Sequence, residues 1–274
     1  MARSADPGGT PAGAPSVDST LVAARRALDR ERTLLQNERD AFEAFYRRLE
    51  AVPPDAPHAS DGASATARRA DLTDPSAHTG LDAVQRAYEE TVMAAPHYED
   101  EYGDRYRESL AAEFDAELAA ALTDPPTLSP VARARLLDEV RFAVESRTDV
   151  LAELDREADA LDDARAALRD VTEELAAIES RPLFECERDE LARLRDDLAT
   201  LADRCDDLAV ERQTGDLRST DRLFTATGES SLVRYLYADL PHRYPVLRAI
   251  AACSDRVETA RRHVRTATRS RDAR

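Results

Sequence analysis

Apolar residues recur along most of this chain at intervals of three and four positions. Residues at that spacing share one face of an α-helix, so the pattern predicts amphipathic helices that pack against one another. A first helix is expected over about 19–51, where apolar residues return every seven positions: Leu21, Leu28, Leu35, Phe42 and Leu49. Glu31 and Glu38 interrupt the companion positions of this stripe, so its N-terminal half is expected to pair weakly.

Two shorter helices are predicted in the middle of the chain. The first has an apolar face over 81–92 and ends at Pro96, because proline lacks the amide proton that an α-helix needs. The second is expected from about Asp104 until Pro125, with an apolar residue at every fourth position: Tyr106, Leu110, Phe114, Leu118 and Leu122. We expect these two helices to pack as an antiparallel pair.

The longest predicted helix begins after Ser129, which can cap it, and runs without glycine or proline to Glu179. Its apolar stripe contains one charged residue, Arg147. A second stripe covers about 185–212: Leu191, Leu194, Leu198, Leu201, Cys205 and Leu208. Two heptad helices joined by a short turn predict an antiparallel coiled-coil hairpin. Because the first arm is longer, its stripe over 137–144 needs another partner, and the 81–122 helices are the natural one.

The C-terminal part is also predicted to be helical, with one helix over about 232–240 and another from about Pro245. The fold class expected is therefore all-α, a helical bundle with a long antiparallel coiled-coil hairpin. Proline, glycine and charge divide the chain into a disordered N-terminal tail (1–17), a heptad helix (18–52), a disordered linker (53–80), a helical pair (81–126), the hairpin (127–213), a C-terminal helical region (214–266) and an Arg-rich tail (267–274).

Composition adds a physiological setting. The 274 residues carry a formal net charge of −17, and every one of the 38 basic residues is arginine. Abundant carboxylates without lysine suit molar salt, where the Debye length falls to about 3 Å. The three cysteines form no CxxC pair, which favours a reducing compartment. With neither a signal-peptide core in the first 17 residues nor an apolar span, we expect a halophilic, cytoplasmic protein without membrane contact.

The common catalytic motifs are missing from the sequence, so we assign no catalytic residue, no cofactor and no metal ligand set. The densest polar cluster supplies five candidates for a ligand or partner: His97, Tyr98, Glu99, Glu101 and Tyr102. The alternative is structural, because carboxylates are favoured where a helix begins and tyrosines beside a turn commonly anchor it. A second cluster, at the corner between the last two helices, adds Asp239 and Tyr244, which need no ligand either.

The C-terminal 21 residues contain seven arginines against three acids. The nucleic-acid candidates are Arg261, Arg262, Arg265 and Arg269. A basic arm can contact phosphates, but cations at the end of a helix are also favoured by its dipole, and high salt weakens phosphate contacts. A contact with the acidic body of the same chain is an equal alternative.

Two blocks carry a resemblance to a known family. They are AYEETVMAAPHYEDEYGD (87–104) and YLYADLPHRYPVL (235–247), joined by the long heptad region. The sequence resembles a family of halophilic archaeal proteins that is classed as a domain of unknown function, over about 21–267. The resemblance implies a helical domain in a haloarchaeal cytoplasm, and it implies no activity, ligand or catalytic residue.

The function expected is a non-enzymatic helical interaction protein, an adaptor or scaffold. Its coiled-coil seams could bind a helical partner or a second copy of the chain, because arms of unequal length leave apolar stripe uncovered. The helix at 18–52 could instead cover that stripe. The first alternative is a nucleic-acid-binding regulator that uses the C-terminal arginines. The second is a small-molecule or metal-binding protein centred on the loop of His97.

Overall fold

The computed structural model describes residues 17–55, 80–96, 98, 105–223 and 232–273. These residues form eight α-helices and the turns between them, and none of them lies in a β-strand, so the all-α prediction is confirmed. The helices are α1 (Val17–Ala51), α2 (Gly80–Glu89), α3 (Tyr106–Glu113), α4 (Ala116–Thr123), α5 (Pro130–Glu179), α6 (Arg188–Leu223), α7 (Leu232–Leu236) and α8 (Pro245–Asp272). Most of the predicted tail and most of the predicted linker lie outside the described residues.

The chain divides into two compact units. Unit 1 comprises Met1–Glu31 and Glu153–Arg274, and unit 2 comprises Arg32–Ala152. Both α1 and α5 cross the division, so each unit contains a part of these two helices.

The core of unit 2 combines α1, the three short helices and the start of α5. Phe42, Phe45 and Leu49 of α1 are buried in one apolar cluster with Tyr88 of α2, whose ring meets that of Phe45 edge to face at 5.2 Å. Leu136 and Val140 of α5 are buried in the same cluster, as the unequal hairpin arms required. Each such side chain contributes about 1.5–3 kcal/mol when fully buried, which fixes these helices around a common core.

The prediction of one helix from Asp104 to Pro125 is wrong, because the segment forms two helices, α3 and α4. α3 ends at Glu113, with Phe114 as its C-cap, and the side chain of Asp115 caps α4 by accepting a hydrogen bond from the amide of Leu118 at 2.7 Å. A strict four-residue repeat turns about 40° further round an α-helix at each step, so one straight helix could not keep the whole stripe on its core. The break lets Leu110 and Leu118 both be fully buried.

In unit 1, α5 and α6 form the predicted antiparallel hairpin. Ion pairs join the two arms at Arg212–Glu157 (2.8 Å) and Arg204–Glu174 (2.6 Å), and Arg181 pairs with Glu190 (2.6 Å) across the turn. The seam leucines of α6 are buried: Leu191, Leu194, Leu198 and Leu201.

α5 starts after Ser129, as predicted. The predicted cap is confirmed by a hydrogen bond of 3.1 Å that the amide of Ala132 donates to the Ser129 hydroxyl.

Two helices extend further than the sequence predicts. α6 continues through Gly215 to Leu223, because one glycine costs a helix only about 1 kcal/mol. α8 begins at Pro245 as predicted and continues to Asp272, so the Arg-rich segment over 267–272 is helical. Its apolar face continues to Ala267, which is buried, and Arg271 pairs with Glu187 at 2.5 Å.

Candidate functional site

The cluster predicted around His97 is represented in the structure by Tyr98. The other four candidates lie outside the described residues: His97, Glu99, Glu101 and Tyr102. Tyr98 is buried, and its amide donates a hydrogen bond of 2.9 Å to the carbonyl of Ala95. Tyr98 and Ala95 both line a cavity in unit 2, so this part of the predicted cluster does border a concave site.

The second predicted cluster forms a structural corner. Asp239 and Tyr244 are both exposed, and Tyr244 directly precedes α8. The two neighbouring tyrosine hydroxyls bond elsewhere: Tyr237 donates to Glu157 at 2.7 Å, and Tyr235 donates to Glu31 at 3.2 Å. Both candidate side chains therefore lie at the surface of this corner.

The four arginine candidates lie on α8, and three of them share an exposed face. Arg262, Arg265 and Arg269 are exposed and spaced three and four residues apart, which places them along one side of the helix. Arg261 is half-buried and pairs with Glu258 at 2.5 Å. The nucleic-acid candidates thus form a short basic stripe of three, and the fourth has an acidic partner.

The strongest candidate site is the cavity of unit 2, which we call the Tyr98 cavity. Its volume is about 280 Å³, close to the lower end of the range for small-molecule pockets. Its walls are largely apolar and aromatic, with contributions from Phe42 and Tyr88. Polar groups enter it from three helices: Glu38 of α1, Ser109 and Glu113 of α3, and Arg147 of α5.

Arg147 holds both carboxylates of the cavity in place. Its guanidinium donates two parallel hydrogen bonds to Glu113, at 2.8 and 3.0 Å, and one to Glu38 at 2.8 Å. The same guanidinium lies over the ring of Phe42, 4.4 Å from its centroid. These three charged side chains are only 15–23 % exposed. The ring of Phe42 holds the guanidinium in place, and the hydrogen bonds of the guanidinium in turn fix the positions of both carboxylates.

Burial sets the protonation behaviour of the cavity. Desolvation raises the pKa of Glu113, and Arg147 only partly opposes this while the nearby charge of Glu38 adds to it. Desolvation also raises the pKa of Tyr88, whose hydroxyl shares a hydrogen bond of 2.9 Å with that of Ser109. The cavity therefore holds one carboxyl group, that of Glu113, which retains its proton to higher pH than an ordinary glutamate, and a tyrosine that stays neutral.

The sequence contained a signal for this site that residue-by-residue reasoning missed. Arg147 stands alone among apolar residues in the α5 stripe, and Glu38 interrupts the stripe of α1. A buried charge needs an opposite charge beside it, so these two breaks in the pattern could have been paired. Glu113 lies on the helix that was expected to be longer, and nothing in its spacing marked it.

A second buried charge cluster lies in unit 1 and is structural. Glu157 accepts two hydrogen bonds from Arg212, at 2.9 and 2.8 Å, and one from Tyr237. All three side chains are less than one-tenth exposed. Because every partner is a neighbour in the fold, the cluster fastens the turn after α7 to the hairpin.

Within the described parts of the chain, no group of three His, Cys, Asp or Glu side chains could hold a metal ion. No helix formed by those residues is both long and apolar enough to cross a membrane.

Comparison with known proteins places the chain in a family. No curated protein and no solved structure matches it. One family model matches over residues 19–261, which is most of the chain and includes both the cavity residues and the hairpin. The chain belongs to that family, which is described as a domain of unknown function, DUF7260.

Proposed function

We propose that this protein binds a small organic cation in the Tyr98 cavity. The observation that carries the proposal is the composition of the cavity wall: two fixed carboxylates face one guanidinium, among aromatic side chains. Glu38 and Glu113 outnumber Arg147, so with both carboxyls ionised the wall has an excess of one negative charge. An ammonium group would balance that charge, and an apolar substituent would contact the aromatic wall.

The burial of the carboxylates also supports a cationic ligand. A buried charge is screened by salt far less than an exposed one, so the attraction persists in molar salt. An anion would meet repulsion from the same two carboxylates.

The proposal is for binding without chemistry on the ligand. The described lining has no cysteine or histidine, and its carboxylates are held by Arg147, which opposes their use as free nucleophiles. What the geometry offers is a rigid, charged and aromatic receptor for a ligand of limited size.

The test compares three probes that differ only in the charge of one group: benzylammonium, benzyl alcohol and benzoate. Thermal unfolding of the full chain is followed in molar KCl at pH 7 with each probe. Benzylammonium should raise the Tm by several degrees at concentrations well above its Kd, because binding to the folded state alone adds RT ln(1 + [L]/Kd) of stability. The alcohol should raise it less, and benzoate should have no effect.

Two variants provide the matched control. Glu113→Gln removes one carboxylate of the cavity and should abolish the shift caused by benzylammonium. Glu117→Gln makes the same change at a side chain of the same unit that is 84 % exposed, and it should leave the shift unchanged. Equal responses to all three probes, or an equal response from both variants, would contradict the proposal.

The cellular setting is proposed on separate grounds. We infer a haloarchaeal cytoplasm from the net charge of −17 and the complete replacement of lysine by arginine. We expect the protein to bind benzylammonium in molar KCl, and to unfold and lose this binding in dilute buffer. A chain that unfolds at the same temperature in both buffers would contradict a halophilic origin.

The scaffold hypothesis loses the observation on which it depended. Leu191, Leu194, Leu198 and Leu201 are buried within the described chain, and the stripe over 137–144 packs in the core of unit 2. Binding of a helical partner, or of a second copy, through these seams would require them to separate first. We therefore propose the cation site ahead of the scaffold.

A nucleic-acid role is the second candidate, because Arg262, Arg265 and Arg269 share an exposed face. Replacing all three by Gln should make the dependence of duplex-DNA affinity on salt shallower by about 2–3 in log–log slope, since each phosphate contact contributes about 0.9. The control replaces Arg169, Arg188 and Arg195, which are all exposed and paired with acids. Fluorescence anisotropy with a labelled duplex measures both, and equal slopes would remove this candidate.

A further inference from the structure

Two of the three cysteines meet in the interior of unit 1. Cys205 of α6 and Cys253 of α8 are each fully buried, and each thiol shifts the pKa of the other, so the two side chains are neighbours. Both thiols are free, and the third, Cys186, contacts the carbonyl of Pro182 at 3.6 Å instead. A contact between two thiols of different helices places them where a covalent link could form.

The register of the helices independently predicts this contact. α6 and α8 pack antiparallel, with Glu187 paired to Arg271 at 2.5 Å near one end. Cys205 lies 18 residues after Glu187, and Cys253 lies 18 residues before Arg271. Eighteen residues are about five full helical turns, so each cysteine returns to the face of its helix that meets the other.

The surroundings of the pair connect it to a groove. Thr172 of α5 lowers the pKa of the Cys253 thiol, and Ser254 lowers that of Cys205, so both hydroxyl residues are neighbours of the pair; the Thr172 hydroxyl itself donates to the carbonyl of Leu168 at 2.7 Å. Thr172 and Ala252, the neighbour of Cys253, line a groove of about 1120 Å³ within unit 1. Thr172 therefore borders both the groove and the Cys253 thiol, and we expect a hydroperoxide to approach the pair from this side.

The two thiols are not equivalent. The neighbouring Cys253 thiol favours the thiolate of Cys205 and lowers the pKa of that thiol, while burial opposes it. The proton is held on Cys253, whose pKa is raised by the same contact and by burial. Other groups around the pair are Asp206 and Arg204 beside Cys205, and Arg256 beside Cys253. Cys205 is thus the better nucleophile, because the thiolate is the reactive form.

We propose that Cys205 and Cys253 are a site of reversible oxidative modification, at which a hydroperoxide converts the two thiols into a disulfide linking α6 to α8. The Cys205 thiolate attacks one peroxide oxygen, the O–O bond breaks, and a sulfenic acid and a hydroxide form. The Cys253 sulfur then attacks the sulfenic sulfur, the S–O bond breaks, and the S–S bond forms. Its proton leaves with the departing oxygen, so two thiols and one hydrogen peroxide give one disulfide and two waters.

The disulfide would restrain the C-terminal part of the chain. It closes the segment from Cys205 to Cys253, which contains α7 and the corner before α8. A cross-link over a segment of this length reduces the conformational entropy of the unfolded chain and should raise the Tm. Oxidation should therefore be readable both chemically and as a change in stability.

The experiment treats the folded full chain in molar KCl with hydrogen peroxide, blocks the remaining thiols with iodoacetamide under denaturing conditions, and maps the peptides by mass spectrometry. The wild type should lose two of its three thiols, gain a cross-link between the peptides of Cys205 and Cys253, and recover all three thiols after dithiothreitol. Cys186→Ser is the control and should form the same cross-link. Cys205→Ser and Cys253→Ser should form none and should show no rise in Tm on oxidation.

Circular dichroism shows whether each serine variant folds. If one does not, peptide mapping of the wild type still decides the question. Three alkylatable thiols after peroxide treatment, or a cross-link that involves only Cys186, would overturn the proposal. Oxidation of Cys205 to a sulfinic acid without a cross-link would also overturn it, because the pair would then not act as a unit.

Discussion

Arg147 and Glu113 are joined by two parallel hydrogen bonds inside unit 2, at 2.8 and 3.0 Å, and Glu38 accepts a third from the same guanidinium. The geometry is that of a bidentate arginine–carboxylate pair, the strongest arrangement available to these groups. Because all three side chains are mostly buried, each depends on the others for compensation of its lost hydration. Both the stability of unit 2 and its proposed ligand specificity therefore depend on Arg147.

Replacing Arg147 by methionine should destabilise the protein by about 3–5 kcal/mol, because two buried carboxylates would lose their compensating charge. Denaturant unfolding in molar KCl measures this cost. Arg141→Met is the control on the same helix: its side chain is 55 % exposed, and it should cost no more than about 1 kcal/mol. The triple variant Glu38→Gln, Arg147→Met, Glu113→Gln should recover much of the loss. A single variant as mild as the control would contradict this account.

The pH dependence of stability should carry the signature of Glu113. Its pKa is raised in the folded state, chiefly by desolvation, so the native protein retains a proton that the unfolded chain releases. Its contribution is fully present below the ordinary glutamate pKa and is lost as pH rises through the raised value. The difference in unfolding free energy between wild type and Glu113→Gln should therefore decline with rising pH over that window. A difference that rises with pH would show that Arg147 outweighs burial.

How far the sequence predicts this fold depends on how local the determining interactions are. The starts of α5 and α8 follow from Ser129 and Pro245, whose effects act within one helical turn. The break at Asp115 does not, because it depends on where the stripe of α3 and α4 meets the rest of the core. The continuation of α6 through Gly215 does not follow from the apolar stripe either, because one glycine costs a helix too little to mark its end.

The candidate site was predictable only in part for the same reason. Tyr98 was identified from a local cluster of polar residues, and it does line the cavity. Glu38, Glu113 and Arg147 are 34 or more residues apart in sequence, and only packing brings them together. Their pairing required a long-range argument, that each interruption of an apolar stripe needs a compensating partner. The two facing cysteines were missed likewise, since their contact depends on the register of α6 against α8.

The hydroxyl of Tyr237 should matter more than that of its near neighbour Tyr235. Tyr237 is fully buried and donates to Glu157 at 2.7 Å, whereas Tyr235 is 48 % exposed and donates to Glu31 at 3.2 Å. A buried hydrogen bond to a charged group is worth about 1.5–3 kcal/mol, so Tyr237→Phe should cost about that amount. Tyr235→Phe should change the unfolding free energy by less than about 0.5 kcal/mol. Equal costs for the two would show that Arg212 alone satisfies Glu157.

The two glycines that the structure describes should respond to alanine in opposite directions. At Gly80, the first residue of α2, an added Cβ would lie 3.0 Å from that of Leu128 and 3.3 Å from a carboxylate oxygen of Asp55. That same carboxylate accepts hydrogen bonds from the amides of Gly80 (3.1 Å) and Leu128 (2.6 Å), so the crowded atoms cannot move without loosening the clamp that joins three segments of unit 2.

Gly80→Ala should therefore destabilise the protein by about 1–3 kcal/mol, the usual cost of forcing extra volume into a packed site. At Gly215, within α6, an added Cβ meets nothing within 4 Å, and alanine should stabilise the helix by about 0.5–1 kcal/mol because it restricts the unfolded chain. Denaturant midpoints of the two variants, measured in the same salt, should move to opposite sides of the wild type. A gain in stability from Gly80→Ala would show that Leu128 and Asp55 can shift, and that the clamp at the start of α2 is looser than its distances indicate.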